Sequence, residues 1–266
     1  MIAIQAHVVT FVFTLAKHGA GASMVRAMID LIRWLYQNGG DFTKMSTEFF
    51  EPAIGLITNA KISSQVRFVM IQMTGKIFKT LWMRCANPPT KELFEAYTSL
   101  KQKNHEKYIR EAAYKALKDV IKVNPSNLFQ IQNDLLKHLL KQVKEEKSNQ
   151  IKVQVVQCLG VFIKDTMNNT NMHNSFELLF TVCTKGFEEQ DPDVQYQYVL
   201  CCAYLLNMRL QESQQVGDIK TDFKTYNQQQ LDGMEKKQRK SAAILNVPRT
   251  VSDMLAMFGT MLITAS

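Results

Sequence analysis

One helical pattern recurs five times along the chain at a nearly constant interval, and this repeat limits the possible folds more than any other feature. Each copy starts with a β-branched residue, and apolar or aromatic residues follow it at offsets 4, 7 and 11. These offsets lie on one face of a helix with about 3.6 residues per turn, so each copy predicts an amphipathic helix that buries the same face. The copies begin 41 to 43 residues apart, at Val25, Val66, Ile109, Ile151 and Val194.

A second helix is predicted between successive copies. Proline residues mark several of the connections, for example Pro88, Pro125 and Pro192, as expected where helices end or begin. The chain has only 11 glycines and 6 prolines among 266 residues, too few turn formers for a fold of many short strands. The sequence therefore predicts an all-α fold. The second helices are predicted within residues 43–57, 91–102, 128–144 and 176–187.

Helix pairs at this interval resemble HEAT repeats, which belong to the Armadillo-like α-solenoid superfamily. The best local matches are residues 109–113 (IREAA) and 191–194 (DPDV), and the resemblance covers roughly residues 10–210. It implies a right-handed α-solenoid of about five antiparallel helix pairs over residues 1–210, with an extended concave face lined by the five repeated helices. A non-repetitive helical bundle is the alternative.

The resemblance also implies a structural role for the residue after each β-branched start. In HEAT proteins a basic residue at this place often pairs with an aspartate in the preceding turn, forming a ladder between repeats. In this chain Gln195 breaks the series, and only the fifth turn supplies an obvious aspartate. We expect these residues to bridge repeats rather than to bind a ligand. The ladder residues are Arg26, Arg67, Arg110 and Lys152.

The two ends of the chain differ from the repeat. Residues 2–16 are nearly apolar all round but too short to span a bilayer, which predicts a buried helix at the end of a longer solenoid or against a partner. Residues 211–248 are rich in Gln and Lys and predict a polar linker or helix. Residues 249–266 predict an amphipathic C-terminal helix that caps the last repeat or docks onto another protein.

Basic residues are concentrated in two places. Residues 101–152 carry a net charge of +6 within a chain of +8, whereas residues 165–218 carry −6. The basic region is either a solvated surface or a landing site for an acidic protein tail or nucleic acid. Its candidate partner-binding patch is Lys101, Lys103, Lys107, Lys137, Lys141 and Lys144. A second run, a candidate localisation signal, is Lys236, Lys237, Arg239 and Lys240.

No motif for catalysis, a cofactor or a metal stands out. The five histidines are scattered, and phosphate-binding glycine motifs are missing. The five cysteines include no CxxC pair, which indicates a reducing compartment. The acid pairs Glu145-Glu146 and Glu188-Glu189 are expected at exposed helix ends. We therefore predict no enzymatic activity, no cofactor and no metal.

These observations favour a scaffold or adaptor that binds other proteins along its concave face. We expect the chain to be a subunit of a larger assembly or part of a longer solenoid, in the cytoplasm or the nucleus and not in a membrane. The alternative is a nucleic-acid- or chromatin-associated HEAT protein that uses the basic 101–152 region.

Overall fold

The computed structural model describes residues 2–100, 106–123, 128–165 and 170–222, with side chains from residue 5 to residue 210 except 170–174 and the three internal gaps. These residues are helical and include no strand, which confirms the predicted all-α fold. The helices are α1 (Ile2–Lys17), α2 (Ala22–Gln37), α3 (Glu51–Thr58), α4 (Ser64–Leu81), α5 (Thr90–Thr98), α6 (Lys107–Lys122), α7 (Leu128–Glu145), α8 (Asn149–Asp165), α9 (Thr170–Lys185) and α10 (Pro192–Asp222).

Local chemistry explains where several helices begin and end. The Ser63 hydroxyl accepts a hydrogen bond from the Val66 backbone N–H at 3.3 Å and caps α4, which satisfies one of the free donors of the first turn. The Asp191 carboxylate does the same for α10, accepting from the Val194 N–H at 3.1 Å. Gly19 and Gly39 follow α1 and α2 with φ of 90° and 110°, a left-handed conformation that glycine adopts without steric cost.

The segment predicted as one helix over residues 43–57 is interrupted. Residues Ser46–Phe50 form a short π-helix that leads directly into α3. Pro52 lies in the first turn of α3, and its ring nitrogen cannot donate the hydrogen bond that a continuous α-helix would require. The wider π turn therefore accommodates the proline.

The helices pack in neighbouring pairs: α1 with α2, α3 with α4, α5 with α6, α7 with α8, and α9 with α10. The second helix of each pair also packs against the second helix of the next pair. We call α2, α4, α6, α8 and α10 the row helices, since each contacts the next in chain order. They are the helices that begin at the five copies of the sequence repeat.

The repeated apolar positions form the core. All twenty residues at the β-branched start and at offsets 4, 7 and 11 are buried, as the helical spacing predicts. A helix that buries one face needs a neighbour to cover it, so the pairs stabilise one another through these interfaces. In α8, for example, the four positions are Ile151, Val155, Cys158 and Phe162.

Two glycines bring row helices close together. A Cβ atom on Gly75 of α4 would lie 2.8 Å from the Cβ of Ala116 in α6. A Cβ on Gly160 of α8 would lie 3.2 Å from the sulfur of Cys201 in α10. Both glycines occupy the ninth position after the β-branched start of their helix. The absence of a side chain at this position therefore sets the spacing of two row interfaces.

The last described helix extends into the predicted polar segment. Helix α10 continues beyond Leu210 to Asp222, so residues 211–222 of the segment 211–248, predicted as a polar linker or helix, are helical. The candidate localisation signal and residues 249–266 lie outside the described residues. Within the described part of the chain, no helix combines the length and apolar character needed to cross a membrane.

Replacing Gly75 with leucine should destabilise the protein, because a side chain at this position overlaps with α6. We expect Gly75→Leu to lower the free energy of unfolding by about 1–3 kcal/mol, the usual effect of inserting atoms into a packed interface. Urea unfolding followed by circular dichroism measures the change.

Gly55→Leu is the matched control, because a Cβ on Gly55 in α3 would have no heavy atom within 4 Å. Leucine is a better helix former than glycine, so this variant should be as stable as the wild type or more stable. Equal losses of stability in the two variants would contradict the close approach of α4 and α6.

Candidate functional site

Three lysines stand at the same place on three successive row helices. Lys79, Lys122 and Lys164 each follow the β-branched start of their helix by thirteen residues, and all three are exposed. Packed helices lie about 8–10 Å apart, and α4 contacts α6, which contacts α8. The three ammonium groups therefore follow one another across the row. We call Lys79, Lys122 and Lys164 the lysine row.

A groove of about 350 Å³ lies beside the lysine row, and we call it the row groove. Gly160 lines it, and the missing side chain leaves space next to the Tyr204 ring. Its basic residues come from α4 and α6, and its apolar residues come from α8 and α10. The lining residues are Lys79, Lys118, Asp119, Lys122, Val156, Gln157, Gly160, Val161, Gln197, Leu200 and Tyr204.

Hydrogen bonds between row helices position the groove lysines. The ammonium group of Lys79 pairs with the Asp119 carboxylate at 3.1 Å, and that of Lys118 donates to the Gln157 side chain at 2.6 Å. The Lys164 ammonium lies 5.9 Å from the centre of the Tyr204 ring, within the range of a cation–π interaction. Among the lining residues three lysines face one carboxylate, so the groove is positively charged.

The basic patch predicted from the sequence is divided between two surfaces. Lys107 begins α6, a row helix, whereas Lys137, Lys141 and Lys144 are exposed along α7, the first helix of its pair. None of these four lines the row groove. Lys101 and Lys103 lie outside the described residues. We call Lys137, Lys141 and Lys144 the α7 lysines.

The lysine row was missed in the sequence, although a signal for it was present. Lys79, Lys122 and Lys164 are 43 and 42 residues apart, the same interval as the helical repeat. A sum of charge over successive residues does not detect these lysines, because it combines the charges of α6 with those of α7. The three lysines instead occupy the same position in successive row helices, so they must be compared at the interval of the repeat.

Two of the predicted ladder residues connect successive helix pairs. Arg110 of α6 forms an ion pair with Glu146, which lies just before α8. Lys152 of α8 forms an ion pair at 2.7 Å with Glu189, which lies just before α10. Both acids precede the next row helix along the chain. The acidic partners are therefore glutamates in the turn that follows the basic residue. The resemblance to HEAT repeats implied aspartates in the turn that precedes it.

The other predicted ladder residues bind differently. Arg26 of α2 donates to the Gln72 side chain of α4 at 2.7 Å. Arg67 is buried and donates from Nε to the Ile57 carbonyl at the end of α3 at 2.9 Å, within its own helix pair. Gln195, which breaks the basic series, donates to backbone carbonyl groups of the turn before α10.

Glu146 is buried, which corrects the expectation that the Glu145-Glu146 pair lies at an exposed helix end. Its two carboxylate oxygens have different partners: Oε2 accepts from Arg110, and Oε1 accepts from the Ser148 N–H at 2.9 Å. The short turn between α7 and α8 directs this side chain inward, while Glu145 stays exposed. The inward carboxylate therefore accepts hydrogen bonds from both the Arg110 guanidinium and the turn.

Two polar side chains of the core, His138 and Tyr97, have structural partners. His138 of α7 lies between Phe94 and Tyr114, with its Nε2 atom 3.1 Å from the Tyr114 hydroxyl oxygen. Burial, together with the Lys141 charge, lowers the pKa of His138 from 6.5 to about 4. Tyr97 is buried and shares a hydrogen bond of 2.8 Å with Thr74. These groups stabilise the core and face no open site.

The cysteines are buried and free. A hydrogen bond with Cys183 and burial raise the pKa of the Cys202 thiol, and burial raises that of Cys158 to about 12. Thiols with raised pKa values are poor nucleophiles. Across the described residues, no group of three or more His, Cys, Asp or Glu is arranged to hold a metal ion.

No family model matches the chain, and neither a curated protein nor a solved structure matches it. Its function is therefore inferred from the arrangement of its own residues.

Glu146→Ala should destabilise the protein strongly, because it leaves the Arg110 guanidinium, 12% exposed, without its partner carboxylate. Breaking a buried ion pair by removing one member costs about 3–5 kcal/mol. Urea unfolding of the variant and the wild type measures the difference in free energy.

Glu145→Ala is the neighbouring control, because Glu145 is 55% exposed and its pair with Lys141 spans 3.9 Å. Exposed pairs contribute about 0–1 kcal/mol. If Glu146→Ala is as stable as Glu145→Ala, the buried position of Glu146 is wrong.

The His138 pKa predicts a loss of stability in mild acid. Because the pKa of folded His138 is about 4 and that of the unfolded residue 6.5, only the unfolded state takes up the proton as the pH falls between these values. The folded state therefore loses about 1.4 kcal/mol per pH unit at most over this range. We expect His138→Gln, which retains a hydrogen-bonding group, to lose about 2 kcal/mol less than the wild type between about pH 7 and pH 5.

Denaturant unfolding of both proteins at the two pH values tests this expectation. Identical pH dependence in the wild type and in His138→Gln would contradict a buried, neutral His138.

Proposed function

We propose that this protein is a non-enzymatic scaffold or adaptor that holds an acidic segment of another protein across its row helices. In this proposal the five helix pairs form a right-handed α-solenoid of the HEAT class, and the row helices line its concave face. The observation that carries the proposal is the lysine row beside the row groove.

The order of helix contacts supports the solenoid. Each pair packs against the next mainly through its row helix, and the same positions are buried in every copy. Repeat proteins of this kind are stabilised by contacts between neighbouring units and expose an extended surface along the stack. A surface that grows with every unit suits a long, narrow ligand better than a small molecule.

The spacing of the lysine row indicates the shape of the partner. Row helices about 8–10 Å apart place a positive charge at each step from α4 to α8. An extended peptide rises about 3.3 Å per residue, so acidic side chains three residues apart meet successive lysines. The apolar residues Val161, Leu200 and Tyr204 in the same groove provide a site for an apolar side chain beyond the acidic stretch.

Exposed apolar side chains on α2 support membership of a larger assembly. Met24, Leu31 and Trp34 lie along one face of α2, and each is about half exposed, Trp34 at 55%. Contiguous exposed apolar side chains of this kind mark protein interfaces. The free cysteines support a reducing compartment, such as the cytoplasm or the nucleus.

The α7 lysines favour a second candidate function, binding to nucleic acid. Lys137, Lys141 and Lys144 present three exposed positive charges along one helix, a pattern that suits successive phosphates. Tyr108 is an exposed aromatic residue on α6 but packs edge-on against Phe68, and Tyr97 is buried. Phe129, 62% exposed, lies two turns before Lys137 on α7 itself and is the aromatic residue on which a base could stack.

Two triple variants with the same change of charge distinguish the two functions. One replaces the lysine row (Lys79→Gln, Lys122→Gln, Lys164→Gln), and the other replaces the α7 lysines (Lys137→Gln, Lys141→Gln, Lys144→Gln). Each protein is used to capture partners from cell extract, with and without nuclease treatment, and the captured proteins are measured by quantitative mass spectrometry. We expect the lysine-row variant to recover acidic partners about 3- to 100-fold less than the wild type, because it loses three ion pairs of about 0.2–1 kcal/mol each, about 0.6–3 kcal/mol in all.

The α7 variant should recover the same proteins as the wild type. If nuclease treatment removes the captured partners, or if only the α7 variant loses them, the nucleic-acid function is favoured and the scaffold proposal is wrong. Circular dichroism of both variants verifies that they fold.

A further inference from the structure

A second groove lies on the row helices, at the end opposite to the row groove. It has a volume of about 500 Å³ and lies where α2, α4 and α6 begin. We call it the start groove. Its apolar residues include Val69 and the rings of Phe68 and Tyr108, which pack edge-on with their centres 5.3 Å apart. Arg26 and Glu106 also line it, so the charges of its lining cancel.

The start groove and the row groove share one face of the seam between α4 and α6. At the start groove, Phe68 of α4 contacts Tyr108 of α6. At the row groove, Lys79 of α4 pairs with Asp119 of α6 at 3.1 Å. Within each helix the two contact residues are eleven positions apart, which is three helical turns and about 16 Å. One ligand can therefore reach both grooves.

The surface between the two grooves is basic. Lys76 precedes Lys79 by three positions on α4, and both are exposed. Lys115 precedes Asp119 by four positions on α6 and is also exposed, although it pairs with Glu111 at 2.6 Å. Residues three or four positions apart lie on the same face of a helix. An acidic segment that extends from Lys79 along this seam therefore meets further lysines before it reaches the start groove.

The start groove suits an uncharged aromatic side chain. Its cancelling charges give no preference for a carboxylate, and the rings of Phe68 and Tyr108 offer the edge-to-face contacts that aromatic side chains favour. The Arg26 guanidinium, which donates to Gln72 at 2.7 Å, can lie over an aromatic face. Aromatic side chains in such pockets are frequent anchors of protein interfaces.

We propose that the acidic segment held by the lysine row carries an aromatic residue about five positions from the end of its acidic stretch, and that this residue enters the start groove. An extended chain covers the distance of about 16 Å between the grooves with about five residues. The segment thus crosses the row diagonally, from the start of α2 and α4 to the end of α8 and α10. This inference rests on the proposed function, because the lysine row must hold the acidic stretch.

Three fluorescent peptides of equal length, titrated with the full chain at low ionic strength and followed by anisotropy, test the inference. The first carries three glutamates spaced three residues apart among serines and glycines. The second adds a phenylalanine five residues before the first glutamate, and the third adds it five residues after the last, so both directions of the bound chain are covered. We expect one phenylalanine peptide to bind about tenfold more tightly than the first peptide, and Phe68→Ala to remove this gain.

Phe129→Ala is the matched control and should preserve the gain, because Phe129 of α7 is an exposed aromatic residue that lines neither groove. The lysine-row variant should weaken all three peptides by the same factor. Equal binding of the three peptides to the wild type, or a gain that persists in Phe68→Ala, would overturn the inference and leave the proposed function standing. If none of the peptides binds, the proposed function is wrong and the inference is wrong with it.

Photochemical crosslinking of the wild type tests the site even if Phe68→Ala does not fold. Benzoylphenylalanine replaces phenylalanine in the tighter-binding peptide, and mass spectrometry identifies the attachment points after irradiation. We expect attachment to residues 22–26, 65–69 or 106–108, which include the lining of the start groove. Attachment to other residues alone would place the aromatic side chain elsewhere and overturn the inference.

Discussion

The structure depends on one constraint: a pair of amphipathic helices cannot bury its apolar face without a neighbouring pair. The chain meets this requirement by placing apolar residues at the same four positions of five row helices, and all twenty are buried. Because each row helix packs on the next, residues about 42 positions apart in the sequence become neighbours in space. Gly75 and Gly160 allow two of these contacts to be close. The polar features of the surface follow from this register.

The same register organises charge in two ways. Near the start of the row helices, Arg110 and Lys152 pair with glutamates that precede the next row helix, so ionic contacts join successive pairs where the core ends. Near the end of the row helices, Lys79, Lys122 and Lys164 remain exposed next to an apolar groove. Basic residues near the two ends of the row helices thus differ in their surroundings: those near the start pair with glutamates, and those near the end are exposed beside the groove.

The fold class and the buried faces could be predicted from the sequence, because helical periodicity is a local property of residues such as Ile151, Val155 and Cys158. The proposed binding surface could not be predicted by summing charge along the chain, because Lys118 and Lys137 are near in sequence but lie on different helices. The burial of Glu146 depends on the turn that aims it at Arg110. These features require knowledge of which helices are neighbours.

The alignment of the lysine row is the central claim, and a distance measurement in solution tests it most directly. Spin labels on cysteines introduced at Lys79 and Lys164 can be observed by double electron–electron resonance, since the five native cysteines are buried. Two interhelical steps predict one narrow distribution, with helix backbones about 16–20 Å apart. A broad distribution, or backbones separated by more than about 35 Å, would contradict the row of helices and the binding surface proposed on it.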